Sequence, residues 1–195
     1  MRSAFIERET NETKIRVELE LDGSGKHEIR TGISFYDHML TQLAVHGLFN
    51  LKIEAQGDLA VDPHHTVEDT ALALGLAFDQ ALGERRGLMR MGSALVPMDE
   101  ALAEVAVDLS GRPYYVFTGE WTGQVITTLP VTLIEHVFYS LSVGMRANLH
   151  ALIRYGRDDH HKAEALFKAL GRALCQATRE DPRRASAIPS SKGTL

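Results

Sequence analysis

The sequence predicts an α+β fold made of two duplicated halves, each a mixed β-sheet covered on one face by helices. Three observations predict it. First, His64-His65-Thr66-Val67-Glu68 returns ninety-six residues later as His160-His161-Lys162-Ala163-Glu164. Second, Val17, Leu19 and Leu21 alternate with polar residues into Asp22-Gly23. Val105, Val107 and Leu109 do the same into Ser110-Gly111, eighty-eight residues on. Third, Asp37-His38 precedes Leu40 and Leu43 as Glu135-His136 precedes Phe138 and Leu141, ninety-eight residues on.

The elements follow in order. Period-two alternation ended by a Gly turn reads as a strand entering a hairpin, so each half opens with two strands. Apolar residues at helical spacing after His38 and His136 predict a helix. Short apolar stretches at 48–55 and 149–155 predict a further strand. The His-His-x-x-Glu segments open a second helix, with Asp62 and Asp158 placed to cap free N–H groups and Pro63 suited to the first turn. Residues 71–78 are apolar nearly all round, which predicts burial. The order in each half is strand, strand, helix, strand, helix, in two layers. Residues 1–90 form the first half-repeat and 91–177 the second, together one globular unit. Residues 178–195, rich in Pro, Ser, Gly and Arg, read as an extended arm.

Composition excludes several classes. A chain of 195 residues is long enough to bury a core, and 44% hydrophobic with 24% charged content is ordinary for a soluble protein. A net charge of −5 argues against a nucleic-acid partner. One cysteine, Cys175, forms no internal disulfide, which fits a reducing cytoplasm. The first sixteen residues are studded with charge, unlike a signal peptide. No apolar run reaches the ~18 residues of a membrane span.

The histidines carry the chemistry. Residues three and four apart share a helix face, so either His of each pair can sit beside its Glu. A lone His on a helix is usually structural. Here each half offers three His and one Glu: His38, His64, His65 and Glu68, then His136, His160, His161 and Glu164. Eight imidazole and carboxylate ligands supply two metals, and the set admits Mn, Fe, Zn or Ni. The His-Glu-x-x-His order of a zincin is absent. Neighbouring side chains on a helix point about 100° apart, so the two His of a pair reach different metals, drawing ligands from more than one element and from more than one subunit. The ligand set alone also admits a metal-dependent hydrolase or a non-catalytic metal-storage shell.

A further set of segments narrows this. Arg8-Glu9-Thr10-Asn11-Glu12-Thr13, Leu21-Asp22-Gly23-Ser24-Gly25, Phe35-Tyr36-Asp37-His38, His46-Gly47-Leu48-Phe49, Leu109-Ser110-Gly111-Arg112-Pro113 and Ile188-Pro189-Ser190-Ser191-Lys192-Gly193 lie in order around both histidine motifs. Together they resemble the imidazoleglycerol-phosphate dehydratase family of histidine biosynthesis over nearly the whole chain. Pro63 departs from the Asp that often precedes the family's first His pair.

The resemblance implies a duplicated fold like ribosomal protein S5 domain 2. It implies two Mn²⁺ ions per active site on the eight ligands named, at subunit interfaces of a 24-subunit shell built from trimers. It implies elimination of water from imidazole glycerol phosphate to imidazole acetol phosphate. It places Glu12 at the substrate as the group that moves a proton, with Glu68 and Glu164 as ligands that double as bases. It assigns Arg90, Arg112, Ser190, Ser191 and Lys192 to the substrate phosphate. Gln42 and His46, one and two turns beyond His38, are placed either to face the same pocket and contact substrate hydroxyls or to serve as structural residues of the helix.

Overall fold

A computed structural model describes residues 2–195. The first half comprises β1 (Ser3–Glu9), β2 (Thr13–Glu20), β3 (His27–Arg30), α1 (Ser34–Gly47), β4 (Asn50–Gly57) and α2 (His64–Leu82). The second comprises β5 (Met91–Met98), β6 (Ala101–Asp108), β7 (Tyr114–Thr118), a short ladder β8 (Val125–Ile126) and β9 (Leu129–Pro130), α3 (Val131–Met145), β10 (Asn148–Tyr155) and α4 (Asp159–Thr178). Two four-stranded mixed sheets result, ordered β1-β2-β4-β3 and β5-β6-β10-β7. The α+β duplication read from the sequence is therefore present.

Two details differ from the sequence reading. Each half has three sheet strands, not two, before its first helix, and the second half adds the short β8–β9 ladder; β1 and β5 were not foreseen. β1 (SAFIERE) is an edge strand with one face in solvent, so its charges hid the alternation. The Asp22-Gly23 turn also does not close a hairpin between β2 and β3. β4 lies between them, antiparallel to β2 and parallel to β3. The turn sits against the start of β4, where Asn50 Oδ1 accepts the N–H groups of Ser24 (2.9 Å) and Lys26 (3.2 Å). β4 wins the central place because Leu51, Ile53 and Ala55 face inward beside Leu19, Val17 and Ile15, whereas β3 has one partly buried apolar residue.

The helices lie on the inner faces and pair across the halves: α1 packs on α4, and α2 on α3. Both seams are made by glycine. A Cβ on Gly75 would lie 2.8 Å from the Cα of Gly144, and one on Gly171 would lie 2.7 Å from the carbonyl oxygen of Leu43 and 2.9 Å from the nitrogen of Gly47. Gly75 and Gly171 stand at the same ninety-six-residue offset as the histidine motifs. Small residues let backbones meet at a distance that any Cβ prevents. One cluster of buried side chains, including Met39, Phe78, Phe138 and Phe167, runs through both halves.

Asp62 and Asp158 accept the N–H groups of His64 (2.7 Å) and His160 (2.8 Å), as their positions predict. α2 is buried along most of its length, though Leu76 reaches solvent. The segment after α4 is a series of turns rather than an extended arm, and its first residue, Thr178, belongs to the helix. Backbone bonds from Gly87 to Ala187 (2.9 Å) and from Asp181 to Gly87 (2.7 Å) hold these turns on the segment between the halves. Among the described residues no helix is long and apolar enough to cross a membrane.

Candidate active site and metal centres

Each histidine pair opens a helix, so His64 and Glu68 on α2, and His160 and Glu164 on α4, stand one turn apart. The third member of each group comes from the other half. His136 of α3 faces α2, with its Nε2 3.5 Å from Glu68 Oε1, while His64 Nε2 is 3.5 Å from Glu68 Oε2. His38 of α1 faces α4, with its Nε2 2.9 Å from Glu164 Oε2, while His160 Nε2 is 3.2 Å from the same oxygen. In each group the three ligand atoms lie within 4.8 Å of one another. The sequence reading left open how the eight ligands divide between the two metals. The helix seams bring each group together across the halves, because α1 packs on α4 and α3 on α2.

These groups fit a divalent cation. His136 Nε2 is buried without a hydrogen-bond partner, an expensive state unless something else satisfies it. Converging imidazole and carboxylate donors suit a transition metal. The two groups are electrostatically unequal. Burial opposes ionisation of Glu164, but Lys168, 2.8 Å away, and His38 outweigh it and hold its carboxyl at about 2. The residue matching Lys168 at the same offset is Leu72.

His65 and His161, the second members of the pairs, join neither group. His65 Nδ1 is 3.0 Å from Asp58 Oδ2, and its Nε2 is 3.8 Å from Glu12 Oε1. His161 Nδ1 is 2.7 Å from Glu100 Oε2, and its Nε2 is 3.7 Å from Asp99 Oδ2. These carboxylates raise both imidazoles above their usual pKa. Glu100 is held at about 2 by the backbone N–H of Asp158, then by His161 and the N–H of Arg157.

Glu12 ends the loop between β1 and β2. Thr10 Oγ1 accepts the N–H groups of Glu12 (3.1 Å) and Thr13 (3.0 Å). Thr13 Oγ1 donates to the buried Asp69, which also pairs with Arg8. Asp69 follows Glu68 directly, so it ties the Glu12 loop to the turn of α2 that carries a ligand.

The residues expected at phosphate gather at a different corner. Arg90 adopts a left-handed backbone (φ 71°) and grips Asp108 through two bonds of 2.6 and 2.9 Å. Its remaining Nη1 donates to Pro189 O at 2.7 Å, just before Ser190. The end of the chain lies over Gly111, where a Cβ would be 2.6 Å from the carbonyl carbon of Leu195. Arg112 therefore follows directly on the residue that the end of the chain covers, and Arg112, Ser191 and Lys192 are exposed. The guanidinium fork of Arg90 is spent inside the chain, where it braces the tail. His46 lies at the far end of the α1–α4 seam, in a groove with Arg172, Cys175 and Arg179. Burial, then Lys168 and Arg172, lower its pKa. Gln42, half-buried, lies between His46 and His38 on α1.

Sequence reasoning missed Asp58, Asp69, Glu100 and Lys168. Of these, Glu100 was within reach, since it stands eighty-eight residues after Glu12.

Fold and site define a class: a duplicated α+β protein with two candidate metal centres of imidazole and carboxylate, each assembled from both halves. The imidazoleglycerol-phosphate dehydratase family model matches residues 31–174, and the chain belongs to that family of hydro-lyases. It is 59% identical to the imidazoleglycerol-phosphate dehydratase of a Roseiflexus species, covering 100% of this chain and 98% of that protein. It is 52% identical to that of Streptomyces coelicolor, covering 97% of each. Its fold is similar to that of the Staphylococcus aureus enzyme (TM-score 0.83, 32% identity, 92% of this chain and 99% of that one). It is likewise similar to that of Pyrococcus furiosus (TM-score 0.84, 37% identity, 97% and 100%).

Proposed function

We propose that the chain removes water from imidazole glycerol phosphate to give imidazole acetol phosphate in histidine biosynthesis. It works in the cytoplasm with two Mn²⁺ ions per active site, as a 24-subunit assembly built from trimers. The observation that carries the metal reading is the pair of groups His64–Glu68–His136 and His38–His160–Glu164, which lie in matching places of the duplication. Each offers three ligands. His65 and His161 are directed elsewhere, and their side chains keep 35% and 27% of their surface exposed, within reach of another copy. They serve as fourth ligands to the centres of a neighbouring subunit, and this is what makes assembly a requirement of the site.

The chemistry asks for two ends. The substrate loses OH from the carbon attached to its ring and H from the next carbon. That hydrogen has no neighbouring carbonyl, so the electrons that expel hydroxide come from the imidazole once its N–H proton is lost. Bound divalent ions supply Lewis acidity for that ionisation. Glu12 takes the proton from the adjacent carbon, and the resulting enol becomes the ketone. Glu68 and Glu164 act as ligands that also accept protons. Arg112, Ser190, Ser191 and Lys192 hold the phosphate, with Arg90 bracing their loop; Arg suits an oxyanion by its planar fork. Gln42 and His46 face the substrate hydroxyls.

The test is a Mn²⁺-reconstituted assay with metal counted per subunit. Formation of imidazole acetol phosphate without inorganic phosphate, at two Mn²⁺ per subunit, is the expected result. Release of phosphate would make the protein a hydrolase, and binding without turnover would make it a metal store.

A further inference from the structure

The duplication places a glutamate immediately before the second strand of each half: Glu12 before β2 and Glu100 before β6. Their surroundings differ. Glu100 Oε1 accepts the N–H groups of Arg157 (3.0 Å) and Asp158 (2.8 Å), and its Oε2 faces His161 Nδ1 at 2.7 Å. Glu12 makes no such grip: its carboxylate is 53% exposed and 3.8 Å from His65 Nε2. The matching nitrogen, His65 Nδ1, is held by Asp58, the residue directly after β4.

The position that matches Asp58, directly after β10, is Gly156. A Cβ there would lie 2.8 Å from that of Ala101 and 3.0 Å from Lys162 Cγ. No carboxylate side chain fits at that point of the second half. We infer that Glu100 and Asp58 are positioning residues that fix the tautomer of His161 and His65, and that Glu12 is free to move protons only because Asp58 holds the histidine in its half. An ionised carboxylate only accepts hydrogen bonds. Each Nδ1 must therefore carry the proton, and each Nε2 presents its lone pair outward. Carboxylates that orient ligating imidazoles in this way govern metal affinity. The inference rests on the reading that His65 and His161 are ligands. It adds why one loop glutamate is catalytic and its twin is not.

Glu100→Gln is the decisive change. Its amide oxygen must keep facing the two backbone N–H donors, so its NH₂ faces His161 Nδ1 and forces the proton onto Nε2. Mn²⁺ affinity of the intact assembly, measured by chelator competition, should fall roughly 10- to 100-fold. The melting temperature of the metal-free protein should stay at its original value, and ¹⁵N magic-angle-spinning NMR should show His161 switched to the Nε2–H tautomer. Asp58→Ala should lower affinity through His65, because Asn at that site could turn its oxygen to Nδ1 and mask the loss. Glu12→Gln should bind Mn²⁺ as the parent does. Unchanged affinity and tautomer in Glu100→Gln, with affinity lost in His161→Ala, would overturn the positioning role alone. Unchanged affinity in His161→Ala as well would overturn the ligand reading and the positioning role with it.

Discussion

His38 Nε2 lies 2.9 Å from Glu164 Oε2, although the two residues come from opposite halves of the duplication. The same exchange joins His136 to Glu68. Neither half contains a complete three-ligand group, so the centres exist only when the halves are packed. Removing His38 should then disable one centre and spare the other. His38→Ala is expected to bind one Mn²⁺ per subunit in place of two, by elemental analysis after dialysis, with a near-normal circular dichroism spectrum.

The glycine seams set the spacing of those ligands. In Gly171→Ala the added methyl meets backbone of Leu43 and Gly47 that has no side chain to swing away. Overpacking of this kind costs about 1–3 kcal/mol. The variant should lose that much stability in urea and also bind metal more weakly at the His38–Glu164 centre, while an exposed control such as Gly123→Ala, whose nearest contact would be 3.4 Å, should retain its metal.

In the proposed function Glu12 acts at the substrate rather than at the ions. Glu12→Gln should keep two metals per subunit and lose nearly all turnover, seen as a collapse of kcat. A kcat near that of the parent would remove Glu12 from the chemistry.

Arg90 and Arg112 separate by mechanism. Arg112 is exposed at the tail corner, so Arg112→Ala should raise KM strongly with little change in stability. Arg90 holds Pro189 and Asp108. Arg90→Ala should therefore release residues 188–193, read as faster tail cleavage by protease together with a higher KM.

A pH signature follows from Asp159, which binds Lys162 at 2.8 Å on a lysine that is 3% exposed. Burial raises the Asp159 carboxyl, but Lys162 and the N–H groups of Thr122 and Gly123 outweigh it, setting it below its ordinary 3.8. A folded value below the unfolded one means the contribution is complete above pH 3.8 and is lost as pH falls through the lower folded value. Asp159→Asn should cost about 1.5–3 kcal/mol at neutral pH, the scale of a bond to a charged group. The difference from the parent should shrink below pH 3.8 in metal-free urea titrations.

Much of this was legible in the chain. The repeated motifs located α2 and α4 and their ligands, since helix periodicity is local and His-His-x-x-Glu needs only one turn. Edge strands were harder: β1 is charged on its exposed face and carries little alternation to read. Order within each sheet was also hidden, because a Gly turn marks a reversal without saying which strand will lie alongside. The two carboxylates on His65 and His161 come from a strand end and a loop, and the space that excludes a side chain at Gly156 is visible only once Ala101 and Lys162 surround it.

By itself the sequence determined the duplication, the helices that carry the histidines, and the kind of chemistry that imidazole and carboxylate permit. Tertiary structure decided which histidine meets which glutamate, because that depends on the α1–α4 and α2–α3 seams and on backbones that approach only where glycine removes the Cβ. It also decided that Glu12 and Glu100, equal in the sequence repeat, have unequal neighbours, since the room available for a carboxylate is a property of packing and not of order along the chain.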